Sequence, residues 1–178
     1  MGQREPTLNK VFGYAEVSID KAGRVILPAV FSNYTGFPAT VRILREPSGL
    51  CLEVRKEEDF CALIERVIAG CQQVPAPLYE AILLEYLDFC DYASVDVERR
   101  LLIPERFRKL LNPSDGKLVL TGIGDGFWIW PQKAYFESRQ ARQALLQENR
   151  AFIFDLAQGR LSNMGAQCTE NKDRATQV

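Results

Sequence analysis

Two short stretches of the chain carry an aspartate followed four residues later by an arginine: Asp20 with Arg24, and Asp96 with Arg100. At a turn, an aspartate accepts hydrogen bonds from the backbone N–H groups that follow it, and it can also hold the arginine. The arginine then presents a planar set of donors that matches a phosphate or the acceptor edge of guanine. The alternative is a turn stabilised by an exposed ion pair, which contributes only about 0 to 1 kcal/mol. Because that gain is small, we favour a binding role for both arginines.

The chain contains no histidine. This excludes Ser–His and Cys–His nucleophile pairs, histidine general bases and the common zinc ligand sets. No residue pattern indicates carboxylate or lysine catalysis. The sequence therefore predicts a protein that is not an enzyme, has no small-molecule substrate and uses no metal or other cofactor.

The overall charge gives no general attraction to nucleic acid or to a membrane surface, because 22 Lys and Arg balance 23 Asp and Glu. Any such partner must be held by a local patch. With 178 residues and 47% hydrophobic content, the chain can form one compact domain or two small halves. Its apolar runs are too short to span a bilayer and its first residues lack a signal-peptide core, so we expect a cytoplasmic protein without a membrane partner.

The second aspartate–arginine motif is part of a longer repeat. Residues 19–31 align with residues 95–107 at a constant offset of 76, with four further positions aliphatic in both copies. Self-similarity at a fixed period indicates a duplicated structural unit. The identical positions are Asp20 and Asp96, Arg24 and Arg100, Pro28 and Pro104, and Phe31 and Phe107.

Each copy predicts two strands, a helix and two more strands. An alternating segment leads to the acidic turn, and a short apolar run then ends at a proline, which is favoured in the first turn of a helix. The helix is closed by Gly36 in the first copy and by Asn112 in the second, and a hairpin follows it. We expect such units over residues 11–56 and 91–131, joined over 57–90 by a helical hairpin whose apolar residues recur at i, i+3, i+4 and i+7.

The ends of the chain read differently. Widely spaced apolar residues predict one amphipathic helix over 132–157. The polar, aperiodic composition of residues 158–178 predicts a disordered tail, and residues 1–10 are expected to be flexible.

At these motifs the chain resembles the MraZ family, regulators found at the start of bacterial division and cell-wall gene clusters. The resemblance rests on Phe12, "SIDKAGRVILP", "SVDVERRLLIP" and "LTGIGDGFWIW", and it spans residues 11–157 in the same order and spacing. It implies an α+β fold in which two tandem SpoVT-AbrB-like β-β-α-β-β units form a pseudo-twofold double-split β-barrel with flanking helices.

The resemblance also implies a function. It predicts a nucleoid-associated, sequence-specific regulator, a repressor, that binds double-stranded DNA at repeated promoter boxes. The implied assembly is a ring-like homo-oligomer, from octamer to dodecamer. Linking many weak sites can raise apparent affinity by about 10² to 10⁴. Such a gain would allow tight DNA binding although the overall charge of the chain gives no general attraction to nucleic acid.

Eight residues are candidates for this site. The resemblance maps DNA contacts onto Arg24 and Arg100 and turn support onto Asp20 and Asp96, and Gly23 is expected to supply a positive φ. Lys10, Lys21 and Arg99 are candidates for additional DNA contacts.

The second turn departs from the family pattern. Arg99 stands where the family usually has glycine, so a positive φ would be costly there, and Glu98 would repel a phosphate. These departures leave an alternative open. The chain could be a protein-interaction and oligomerisation module that has kept the barrel and lost operator binding.

Overall fold

The structure, a computed structural model, describes residues 10–71, 74–113 and 115–158. Except for Lys10 and Gln158, the segments expected to be flexible or disordered (1–10 and 158–178) lie outside these ranges. The chain forms two compact units, one ending at Tyr135 and the other beginning at Phe136.

The described chain contains eight strands and six helices. The strands are β1 (Tyr14–Ser18), β2 (Arg24–Ile26), β3 (Ala39–Arg45), β4 (Leu52–Arg55), β5 (Cys90–Val95), β6 (Arg100–Leu102), β7 (Lys117–Gly122) and β8 (Phe127–Pro131). The helices are α1 (Ala29–Thr35), α2 (Glu57–Gly70), α3 (Ala76–Asp88), α4 (Glu105–Leu111), α5 (Gln132–Glu148) and α6 (Arg150–Ala157). None of them is both long and apolar enough to cross a membrane.

All eight strands join one antiparallel sheet in the order β1-β7-β8-β4-β3-β5-β6-β2. The two end strands meet at a bridge between Ile19 and Val25, so the sheet is a nearly closed barrel. Closure matters because an open edge would leave unpaired backbone groups. The expected mixed α+β class is confirmed.

Most strand pairs join the first half of the chain to the second. β1 pairs with β7, β2 with β6, β3 with β5, and β4 with β8. Within the halves, the pairs are β3 with β4, β7 with β8, and a single residue pair between β5 and β6. The barrel therefore needs both halves.

The short helices α1 and α4 pack against one core inside the barrel. Each follows a proline, whose missing N–H is not needed in a first helical turn. Each supplies a fully buried aromatic side chain, Phe31 or Phe107, and such burial contributes about 1.5 to 3 kcal/mol. The helices end as predicted, α1 at Gly36 with φ 74° and α4 at Asn112 in the left-handed region.

The segment over 132–157 forms two helices, α5 and α6, where we expected one. The interruption is at Asn149, which has φ −109° and ψ 23°. Its side-chain Nδ2 donates to the carbonyl of Leu145 at 2.8 Å, a carbonyl that its own backbone N–H also contacts. Asparagine side chains compete in this way with regular helical hydrogen bonding.

Candidate functional site

The first turn is organised around the carboxylate of Asp20. Its Oδ1 accepts the backbone N–H groups of Ala22 at 2.8 Å and Arg24 at 2.9 Å, and its Oδ2 accepts Nε of Arg24 at 2.8 Å. The N–H of Gly23 also donates to the backbone carbonyl of Asp20. The backbone N–H of Arg24 is the main reason that the pKa of Asp20 lies below its ordinary value. Asp20 thus stays ionised and orients Arg24.

The second turn repeats this arrangement. Oδ1 of Asp96 accepts the N–H groups of Glu98 at 2.9 Å and Arg100 at 3.0 Å, and Oδ2 accepts Nε of Arg100 at 2.7 Å. The N–H of Arg99 donates to the carbonyl of Asp96. The pKa of Asp96 is also lowered, mainly by the backbone N–H of Arg100. Each of these hydrogen bonds has its counterpart 76 residues earlier.

Position 23 and its counterpart 99 both lie in the left-handed region. Gly23 has φ 85°, as expected, and Arg99 takes φ 62° although it carries a Cβ. Two backbone hydrogen bonds hold Arg99 there, because its N–H donates to Asp96 and its carbonyl accepts the N–H of Leu27. The second turn therefore keeps the backbone of the first without a glycine.

Reciprocal contacts join the two turns. The N–H of Leu27 donates to the carbonyl of Arg99, and the N–H of Ile103 donates to the carbonyl of Gly23, both at 2.9 Å. Between them, β2 and β6 pair with Arg24 opposite Leu102 and Ile26 opposite Arg100.

This register places both arginines on one outer face. Arg24 and Arg100 are diagonal neighbours on adjacent strands, a geometry that separates residues by roughly 7 to 8 Å. The pKa of Arg100 is raised, mainly by its hydrogen bond to Asp96, and Asp20 of the other turn adds to the shift. The two turns therefore form one site.

The turns differ in charge. Nη1 of Arg100 also lies 2.6 Å from Oε2 of Glu98, so this arginine contacts two carboxylates, whereas Arg24 contacts one. The first turn adds the exposed Lys21, for which no ion pair is found within the described ranges. The first turn is the more cationic of the two.

Lys10 lies elsewhere. Its neighbour Val11 pairs with Gly124 in the loop between β7 and β8, and the Lys10 side chain is beside that loop. Val11 and Ile19 lie beyond opposite ends of β1, whose five residues span roughly 17 Å. Within one chain the structure brings Lys21 and Arg99 to the turns but not Lys10.

Arg108 reaches the first turn from α4. Its Cδ, Nη1 and Cζ lie 2.6, 2.6 and 2.7 Å from the point where a Cβ would stand on Gly23. Its neighbours on the helix are engaged elsewhere, Arg106 with Asp91 at 3.3 Å and Lys109 with Glu105 at 2.9 Å. The sequence shows a basic run on this helix but does not indicate which residue contacts the turn.

The two aspartates are not placed as metal ligands. Their oxygens already accept arginine and backbone donors, and across residues 10–71, 74–113 and 115–158 no group of three His, Cys, Asp or Glu could hold a metal ion. What the site offers chemically is a set of partly exposed guanidinium donors.

Comparison with known proteins supports the resemblance to the MraZ family. The chain is similar to the transcriptional regulator MraZ of Saccharophagus degradans, with 27% identity over 128 residues that cover 71% of this chain and 85% of that protein. No protein-family model matches the chain.

Proposed function

We propose that this protein is a sequence-specific DNA-binding transcriptional regulator, with the outer face of β2 and β6 and the two turns as its DNA contact surface. The observation that carries the proposal is the matched pair of turns. Each holds its arginine through Nε and places it beside the other. For Arg24 this leaves both terminal nitrogens for paired acceptors on guanine or on a phosphate.

The shape of the surface supports the same role. A two-stranded β-ribbon fits the major groove of DNA. Ile26 and Leu102 lie between the two arginines and are 63% and 42% exposed, so they can contact thymine methyl groups.

The similarity to MraZ extends the proposal. We infer two tandem SpoVT-AbrB-like units and a repressor of a bacterial division and cell-wall gene cluster, bound at the nucleoid. One subunit has no overall excess of positive charge, since the chain as a whole has a net charge of −1. A ring of eight to twelve subunits on repeated promoter boxes would supply the affinity through linked weak contacts.

The test is a titration of the protein against double-stranded DNA from upstream of its own gene, at two salt concentrations. We expect specific binding that weakens as salt rises, because phosphate contacts release counterions. Arg24→Ala should weaken specific binding by about 1 to 3 kcal/mol for each bound subunit. The matched control is Lys109→Ala, which removes the same charge from a residue already paired with Glu105.

One observation favours the alternative, a protein-interaction module that has lost operator binding. Glu98 sits against Arg100 and would oppose a phosphate at the second turn. If the protein binds no DNA, or binds all DNA equally weakly whether or not Arg24 is present, the regulator proposal is wrong. Self-association that persists in that case would support the interaction module.

A further inference from the structure

Arg108 has a donor without a partner. Its Nε is buried and makes no hydrogen bond within the described part of the chain, nor does the guanidinium form an ion pair there. Buried donors are almost always satisfied, so this guanidinium is short of acceptors. An anion outside the protein could reach it through its terminal nitrogens, which are not among the buried atoms without a partner. The guanidinium also covers Gly23, one residue before Arg24 and two after Lys21. Three cations therefore converge on the first turn, where Asp20 pairs with Arg24; Arg108 also interacts electrostatically with Glu105 on its own helix.

The second turn and its helix carry different residues at the two positions equivalent to Gly23 and Arg108. Ser32 occupies on α1 the place that Arg108 occupies on α4, since each donates its N–H to the carbonyl of the proline four residues earlier. Ser32 is small and fully buried. The first turn therefore combines glycine at position 23 with arginine at position 108 on the helix. The second combines arginine at position 99 with serine at position 32.

This exchange gives each turn one additional guanidinium. At the first turn, Arg108 supplies it from the other half of the chain, and glycine is required at position 23 to make room. At the second turn, Arg99 supplies it from the turn itself. The exchange keeps the cation while moving it to a different part of the chain.

We propose that Arg108 completes an anion site over the first turn, together with Arg24 and Lys21, and that this site takes a phosphate of the DNA backbone; this inference rests on the DNA-binding function proposed above. A phosphate is favoured over a base edge because the Arg108 side chain lies half-buried against the backbone of Gly23. Phosphate contacts of this kind fix the position of the protein on the duplex and carry no sequence information.

The first test compares Arg108→Ala with Lys109→Ala, which removes the same charge one residue away on the same helix. Arg108→Ala should weaken binding equally to the upstream DNA and to an unrelated duplex. The slope of log affinity against log salt should fall by about 1 for each bound subunit. Lys109→Ala should leave the slope unchanged. Equal slopes for the two variants would overturn the proposal.

Arg108→Lys keeps the experiment decisive if Arg108→Ala unfolds. Lysine retains the charge but not the planar donors, so its slope should stay near that of the unmodified protein while affinity falls. A loss of slope in Arg108→Lys, with thermal unfolding unchanged, would contradict a charge contact at this position.

A second test needs no DNA. Inorganic phosphate, added at constant ionic strength, should raise the Tm of the unmodified protein and of Lys109→Ala, but not that of Arg108→Ala, because a ligand that binds only the folded state stabilises it. If phosphate stabilisation depends on Arg108 while no DNA is bound, the anion site stands and the regulator proposal fails. If DNA binds specifically and Arg108→Ala changes neither measurement, the anion site fails alone.

Discussion

Arg99 occupies, in the second turn, the position that Gly23 occupies in the first, and both residues have a positive φ. A side chain with a Cβ at positive φ crowds the following carbonyl, at a cost of roughly 1 to 2 kcal/mol. The hydrogen bonds to Asp96 and from Leu27 hold Arg99 at φ 62° despite this cost. What the second turn gains is a cation at the outer face.

Replacing Arg99 by glycine should therefore stabilise the protein. We expect Arg99→Gly to raise the free energy of unfolding by about 0.5 to 1 kcal/mol, because relief of the strained φ exceeds the extra freedom that glycine has in the unfolded chain. Urea unfolding measures the change. Arg99→Ala is the control, since it loses the same charge and keeps the Cβ, and it should match the unmodified protein. An equal gain in both variants would assign the effect to charge.

Local contacts at the site could be predicted from the sequence, and distant ones could not. The contact of Asp20 with Arg24 follows from a spacing of four residues at a turn. The contact of Arg108 with Gly23 depends on the pairing of β2 with β6, which brings together residues far apart in the chain. The position of Lys10 beside Gly124 likewise follows from a distant pairing, the bridge between Val11 and Gly124.

Among the elements, the short helices were predictable because proline marks their starts and glycine or asparagine marks their ends. Pro28 and Pro104 precede α1 and α4, and both helices end where their sequences predict. The apolar pattern continues past Asn149 and so does not indicate the division between α5 and α6, where the Asn149 side chain donates a hydrogen bond to the carbonyl of Leu145. Periodicity does not report such competition.

The two turns, taken as elements, should make stability depend on acid. The pKa values of Asp20 and Asp96 are lowered in the folded state, so their contribution is present above the unfolded pKa of about 4 and is lost as pH falls through the folded pKa. We expect the free energy of unfolding of the unmodified protein to be nearly flat above about pH 5 and to fall below about pH 4.

The matched comparison is the double variant Asp20→Asn, Asp96→Asn, measured by urea unfolding across the same range. It should be less stable at neutral pH, because the contacts of both carboxylates are gone, and it should lose less stability on acidification. The loss that remains comes from other carboxylates with lowered pKa values, such as Asp125, which both proteins keep. Each single variant should lose an intermediate amount of unfolding free energy on acidification. Parallel curves for the double variant and the unmodified protein would show that the turns do not contribute to this pH dependence.

Over the whole molecule, the net charge hides a local imbalance. The chain carries −1 overall. The two turns and the helix residue over the first bring five cationic side chains together with three carboxylates. The cations are Lys21, Arg24, Arg99, Arg100 and Arg108, and the carboxylates are Asp20, Asp96 and Glu98. This surface depends on both halves of the chain, because Arg108 comes from the second half and Gly23 from the first.

The barrel should therefore not survive as separate monomeric halves. Of the strand pairs that the structure describes, a fragment of residues 1–71 retains β3 with β4 and the single bridge between Ile19 and Val25, and a fragment of 74–178 retains β7 with β8 and one residue pair between β5 and β6. Isolated two-stranded pieces are at best marginally stable in water. We expect neither fragment alone to give a folded monomer by circular dichroism and light scattering, and a mixture of the two to recover the strand content of the intact chain.

The control is the intact chain carrying a protease site between Cys71 and Val74, cut after folding, which should remain one species because the strand pairs between the halves stay in place. A folded monomer from either fragment would mean that its strands find partners within their own half, against the sheet order on which the joined turns depend.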